Sequence, residues 1–179
     1  MAKDLSRDGD TVSEIKLHLG CGKIVLDGYY NIDLTQEAPD VIQGDVIILE
    51  RYWPNCVSEI ISFHLFEHLP RPGGQEPNVE TALRRWYEIL KPGGKLIIEC
   101  PDFDAVVNQY VFGMKERINN IFGLNRFDGD KHQWGYSPIS ITTLLTKHGF
   151  VDIVVSDGTD YHAKLEPCMR VECIKGAKS

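Results

Sequence analysis

Ile15-Lys16-Leu17-His18-Leu19-Gly20-Cys21-Gly22 is the stretch on which the fold of this chain turns. Apolar and polar side chains alternate from Ile15 to Leu19, which is the period of a β-strand. The strand runs straight into a turn built on two glycines. Tyr29-Tyr30-Asn31-Ile32-Asp33-Leu34 reads as a second short strand with an acid near its end. Val41-Ile42 begins a third, just before Gly44-Asp45, and Val57 to Phe63 is apolar enough for a buried fourth.

A helix follows. Asn78 is its N-cap, and Val79, Leu83, Trp86 and Leu90 recur at spacings of 4, 3 and 4 before Pro92-Gly93-Gly94 stops it. Lys95-Leu96-Ile97-Ile98-Glu99-Cys100 is the next strand, ended by Pro101. Residues 102–136, interrupted by Gly113, Gly123, Gly129 and Gly135, are the least regular part. So long and aromatic-rich a connection points to function rather than to a spacer. A second capped helix starts at Ser137-Pro138, carries Ile141, Leu144 and Leu145 on one face, and stops at Gly149. Two late strands, near 150–156 and 168–174, are expected to pair as a terminal hairpin. Strands separated by helices predict a doubly wound α/β sheet, mostly parallel, with helices on both faces and an antiparallel edge.

Composition bounds the function. The chain has 179 residues, 42% hydrophobic and 25% charged, which suits one globular domain. Its 19 basic and 26 acidic side chains leave a formal charge of −7, so nucleic acid is not an expected partner. No apolar run is long enough to span a bilayer, and Met1 to Asp10 lacks a secretory apolar segment. We expect a flexible tail over residues 1–13 and a single domain over 14–179. Five cysteines without a C-x-x-C pair fit reduced thiols in a cytoplasmic protein.

The candidate site lies at the strand ends. In open α/β sheets ligands bind beyond the carboxyl ends of the strands, at the switch point. Gly20 and Gly22 fall there and let backbone N–H groups approach a ligand closely. Asp33 is placed to accept from a ribose diol and Asp45 from an adenine amino group, which describes an adenosine-type ligand. A dinucleotide fits less well: Val25 replaces the third glycine of G-x-G-x-x-G, and little room remains for a pyrophosphate-binding helix before Asp33.

Leu17-His18-Leu19-Gly20-Cys21-Gly22, Asn31-Ile32-Asp33, Phe66-Glu67-His68-Leu69 and Leu90-Lys91-Pro92-Gly93-Gly94-Lys95-Leu96 resemble the successive motifs of class I S-adenosylmethionine-dependent methyltransferases over residues 15–175. The nearest likeness is to compact members predicted around surface-polysaccharide biosynthesis, which share the short interval before Asn-Ile-Asp. They also share a stretch like His132-Gln133-Trp134-Gly135-Tyr136-Ser137-Pro138. The resemblance implies a Rossmann-like seven-stranded sheet with an antiparallel last strand and S-adenosyl-L-methionine as cofactor. It implies a cofactor pocket from Leu19, Gly20, Cys21, Gly22, Asp33 and Asp45, with the backbone of His64, Leu65 and Phe66 beside the methyl donor. The sequence departs from the family between Gly22 and Asp33, where the usual helix is shortened or absent.

The expected reaction is methyl transfer to a small polar acceptor, a hydroxyl of a sugar or similar molecule. His132 is the candidate general base, since histidine titrates near neutrality. Asp102, Phe103, Trp134 and Tyr136 are the candidate acceptor contacts. Two other readings stand beside this one, a cofactor-binding module without turnover and a nicotinamide-dependent oxidoreductase. His64-Leu65-Phe66-Glu67-His68 matches the H-x-x-E-H zinc-peptidase pattern. Pro70 and Pro72 close the segment too quickly for one helix to carry both histidines, so no metal is expected. Asp128 and Asp130 could join His132 around a cation, but a polar loop explains them as well. Cys21 has no partner base and reads as packing.

Overall fold

The computed structural model describes residues 14–35, 38–126 and 129–177. The expected tail over 1–13 and Asp128 lie outside the described residues. Seven strands form one sheet: β1 (Ile15–Leu19), β2 (Tyr30–Asp33), β3 (Val41–Gln43), β4 (Val57–Phe63), β5 (Leu90–Pro101), β6 (Phe150–Asp157) and β7 (Cys168–Lys175). Their order is β3-β2-β1-β4-β5-β7-β6. β1 pairs in parallel with β2 and β4, as do β2 with β3 and β4 with β5, while β7 runs antiparallel to both β5 and β6. The order reverses between β1 and β4, which is the switch point of the sheet.

α1 (Val79–Ile89) starts where Asn78 accepts from the N–H groups of Glu80 and Thr81, and Thr81 Oγ1 accepts in return from Asn78 N–H. α4 (Pro138–Lys147) is capped the same way by Ser137 and Ser140. Val79, Leu83, Trp86 and Leu90 are fully buried, as are Ile141 and Leu145. They close over Leu17, Leu19, Ile60, Leu96, Ile98 and Val171 in a single core. The side chains that alternate with these strand residues make a polar web instead. Tyr29 donates to Glu59, Lys95 pairs with Glu172, and Arg170 bridges Glu99 and Glu172.

Residues 102–136 are more regular than their glycines predict. They hold α2 (Phe103–Val111), a tight turn at Lys115–Arg117 and α3 (Ile118–Phe122). Gly113 and Gly123, at φ +112° and +77°, follow α2 and end α3. α1 ends at Ile89, ahead of the Pro92-Gly93-Gly94 turn expected to halt it, and β5 already begins at Leu90. Leu90 pairs with Val57, and the register slips across Lys91-Pro92-Gly93-Gly94 before Lys95 pairs with Glu59. No helix of the described residues is long and apolar enough to cross a membrane.

No helix joins β1 to β2. Asn31, 3% exposed, holds the connection in its place. Its Oδ1 accepts from Leu26 N–H at 2.9 Å and from the His18 ring at 2.9 Å, while Nδ2 donates to the carbonyls of Leu26 and Tyr29. Burial lowers the pKa of His18, so its neutral ring donates through Nδ1. Asn31→Ala strands two buried donors and is expected to cost about 2 kcal/mol of stability. A urea-denaturation difference below about 0.5 kcal/mol would show that the loop does not depend on this side chain.

Candidate active site

The carboxyl ends of β1 and β2 meet through a backbone-to-carboxylate bond. Gly22, at φ +53°, donates its N–H to Asp33 Oδ2 at 2.8 Å. Asp33 Oδ1 accepts from the N–H and hydroxyl of Thr35 at 3.0 and 3.2 Å. A carboxylate has about four acceptor positions, so one remains after these three bonds. Gly44 N–H donates to the Asp33 carbonyl at 2.8 Å and brings β3 alongside. Asp45 is exposed, with Oδ1 accepting from Ile47 N–H at 2.8 Å.

The two glycines of the turn differ. A Cβ on Gly22 would meet nothing within 4 Å, whereas one on Gly20 would lie 2.8 Å from the Leu65 side chain. Gly20 is therefore small because Leu65 packs on it, and only Gly22 leaves open space. Leu19 is fully buried in the core and offers this edge its backbone alone. The Cys21 thiol is pushed up to about 11 by burial and then by the Asp33 charge, which leaves it inert near neutral pH.

At the end of β4 the chain turns sharply. His64 has φ +47°, a left-handed conformation that costs a bulky residue of order 1–3 kcal/mol and survives only where its surroundings dictate it. Those surroundings are visible. His64 N–H donates to the Glu99 carbonyl at 2.8 Å, and its Nδ1 lies 3.1 Å from Glu67 Oε1. Nε2 lies 3.5 Å from Cys168 Sγ, with Asp160 and Glu166 carboxylates at 3.8 and 3.7 Å from the ring nitrogens. The ring stacks on His162 at 3.8 Å. Burial disfavours charge on His64, but the Cys168 and Glu67 contacts outweigh it and raise the pKa to about 11. Burial likewise opposes charge on Glu67, yet His64, His68 and His132 together hold it below the ordinary value as a carboxylate.

Phe66–His68 forms one tight helical turn, with the Phe66 side chain in the core. The Glu67 carbonyl accepts from the N–H groups of Gln133 and Trp134 at 2.8 and 3.3 Å, which brings residues 132–136 onto this turn. His132 arrives half-buried, Nδ1 on the Asn120 carbonyl at 2.8 Å, and burial lowers its pKa. Its ring stands edge-on to His68 at 4.8 Å. The H-x-x-E-H pattern is thus divided: His64 takes Glu67 Oε1, and His68 turns toward His132.

The expected acceptor contacts separate into two kinds. Trp134 is 42% exposed, and Phe103 is half-buried, its ring filling the space a Cβ on Gly135 would need. Tyr136 is 2% exposed and packs against Phe66 at 4.8 Å, with its hydroxyl buried and without a hydrogen-bond partner. Asp102 spends Oδ1 on the N–H groups of Asp104 and Ala105 as the N-cap of α2. Asp130 is held in an ion pair by Arg126 at 3.0 Å. Asp160, His162, Glu166 and Cys168, which converge on His64, carry no motif that sequence reasoning could use.

The sequence matches no protein-family model and no curated protein. Solved structures do resemble it. A SAM-dependent methyltransferase from Methanosarcina mazei superposes with a TM-score of 0.64 at 15% identity, covering 92% of this chain and 93% of that one. One from Archaeoglobus fulgidus gives 0.62 at 13% identity, over 90% and 86% of the two chains. A Haemonchus contortus phosphoethanolamine N-methyltransferase, solved with S-adenosylhomocysteine, gives 0.62 at 14% identity. The chain spans about half the length of that protein, 49%, and is itself covered to 92%. The fold is that of the class I S-adenosylmethionine-dependent methyltransferases.

Glu99 fastens the far side of the site. Its side chain is fully buried and accepts from Thr159 N–H and Oγ1, Asp160 N–H and Arg170 at 2.9, 2.6, 3.0 and 2.6 Å. Burial raises its pKa, but these four donors bring it below the ordinary 4.5. A depressed carboxylate stabilises the fold above its unfolded pKa, and the contribution fades as pH falls through the folded value. Glu99→Gln is expected to lose about 3 kcal/mol at pH 7. The wild-type advantage should narrow below about pH 4.5 in parallel melts, and a gap that does not change with pH would refute the ionised assignment.

Proposed function

We propose that this chain transfers the methyl group of S-adenosyl-L-methionine to a hydroxyl of a small polar acceptor, a sugar or similar molecule. The observation that carries the reading is the Gly22–Asp33 bond at the switch point. It holds a carboxylate with a remaining acceptor position beside the open space over Gly22, in a fold shared with methyltransferases. A ribose diol and the methionine portion of the cofactor fit these two features. Asp33 would hold the ribose hydroxyls, Asp45 the adenine amino group, and the backbone of Leu19, Gly20, Cys21, Gly22, His64, Leu65 and Phe66 the rest.

Bound, the cofactor supplies an activated methyl group on a sulfonium, and transfer leaves a neutral thioether as the acceptor oxygen gains the methyl. The chain's share is alignment, exclusion of water and removal of the acceptor's proton. His132 is the residue for that proton. The Asn120 carbonyl can only accept, so it fixes the hydrogen on Nδ1 and leaves a lone pair on Nε2. Trp134 and Phe103 would flank the acceptor, with Asp102 at the start of α2. The sugar preference rests on the sequence likeness around His132 to Pro138. Five free cysteines suit a reducing, cytoplasmic setting.

Calorimetric titration of S-adenosylmethionine and S-adenosylhomocysteine should show binding that Asp33→Ala weakens about tenfold or more. Absence of binding by either ligand would sink the methyltransferase reading. Affinity without turnover on any hydroxyl acceptor would favour a binding module. His132→Ala is expected to lower turnover about a hundredfold with cofactor affinity retained, and unchanged turnover would remove the base assignment.

A further inference from the structure

We propose that Glu67, His68 and His132 form a binding site for a divalent first-row transition metal ion of the borderline class that zinc and cobalt represent. One potential ligand atom from each lies within 4.8 Å of the others. Glu67 is 2% exposed, and while Oε1 faces His64, Oε2 has no partner at all. A buried carboxylate oxygen is seldom left bare, and two imidazoles stand beside this one.

Those imidazoles are prepared for a ligand. His68 Nδ1 meets the Lys131 carbonyl at 3.1 Å, as His132 Nδ1 meets that of Asn120 at 2.8 Å. Each carbonyl can accept from the ring Nδ1–H, which in a neutral imidazole puts the lone pair on Nε2, the support found behind metal-binding histidines. A tetrahedral ion with bonds of about 2.1 Å holds its donors roughly 3.4 Å apart, so modest rotation of two half-buried rings closes the site. The backbone already joins its halves. Gln133 donates N–H to the Glu67 carbonyl and Nε2 to the His68 carbonyl, at 2.8 and 3.1 Å.

Two other groups, His64 with Asp160 and His162, and His64 with Glu166 and Cys168, also bring ligand types together. Both depend on His64, whose ring nitrogens already face Glu67 and Cys168. Three protein ligands leave a coordination position open, and an ion there lowers the pKa of a hydroxyl that occupies it. That use rests on the methyl-transfer reading, whereas the binding of the ion does not. An ion there would make His132 a ligand and take over from it the activation of the acceptor hydroxyl, whose proton leaves to bulk water as the acceptor binds, before water is excluded.

The test is titration of chelator-treated full-length chain with Zn²⁺ by calorimetry and with Co²⁺ by absorption. A single ion should bind, with affinity weakened about a hundredfold or more in His68→Ala and in His132→Ala, and unchanged in His162→Ala. Circular dichroism confirms that each variant is folded. No binding, or binding indifferent to both histidine variants, overturns the site. Weakening by His162→Ala alone assigns the ion to the His64 cluster and overturns it equally. A parallel S-adenosylhomocysteine titration separates the two readings. Zinc bound without the nucleoside sinks the methyltransferase reading alone, and the nucleoside bound without zinc sinks the metal site alone.

Discussion

A carboxylate buried as deeply as that of Glu67 must be compensated by cations or donors, because removing an ion from water costs several kcal/mol even after relaxation (on the order of 5 or more). His64 supplies that compensation on Oε1, and much of the local structure follows from bringing it there. The imidazole reaches Glu67 only because its own residue adopts φ +47° at the end of β4. Asp160 and Glu166 gather around the ring, and Glu99 holds the segment that carries Asp160. Glu67's carbonyl then fixes residues 133 and 134. One buried charge thus ties β4, the β6–β7 connection and the long excursion after β5 to a common point.

The same economy of polar contacts explains how the fold survives without a helix between β1 and β2. A helix would cover part of the sheet with apolar side chains. Here Asn31 uses both ends of its amide to brace a connection of turns, and His18 beneath it is buried neutral. Beyond it, Tyr29 donates to Glu59, and Lys95, Glu99, Arg170 and Glu172 pair among themselves along the sheet. The apolar core is gathered with α1 and α4, where Trp86 is fully enclosed and donates Nε1–H to Val46 O at 2.8 Å. That bond also steadies the segment after Asp45.

The fold was legible because its signals are local. Alternation in Ile15 to Leu19, the caps at Asn78 and Ser137, and the glycines after each element announce strands and helices without knowledge of the tertiary structure. The Gly22–Asp33 contact joins residues close in sequence, at strand ends that the order of motifs sets side by side, but the bond itself was not read from them. Neither was the cluster on His64. Cys168 and His64 are 104 residues apart, and only the antiparallel register of β7 on β5 brings them together. The place of Tyr136 was equally out of reach: only the pairing of Asp102 with Tyr136 sets its ring against Phe66. That Leu65 packs where a side chain at position 20 would stand was likewise hidden, because the two residues are far apart in sequence.

Residues 64–68 join the two halves of the candidate site. Leu65 packs on Gly20, at the end of β1, while two residues later Glu67 accepts from the segment that delivers His132 and Trp134. A regular continuation of β4 would point alternate side chains to opposite faces of the sheet and could not serve both neighbours. The left-handed conformation at His64 breaks that alternation and is followed at once by the tight turn at Phe66–His68, which drops Phe66 into the core as an anchor. Leu65 and Glu67 consequently face different partners from a backbone pinned between them. Backbone strain at His64 is offset by the ion pair it makes possible, and the geometry of both strand ends depends on that exchange.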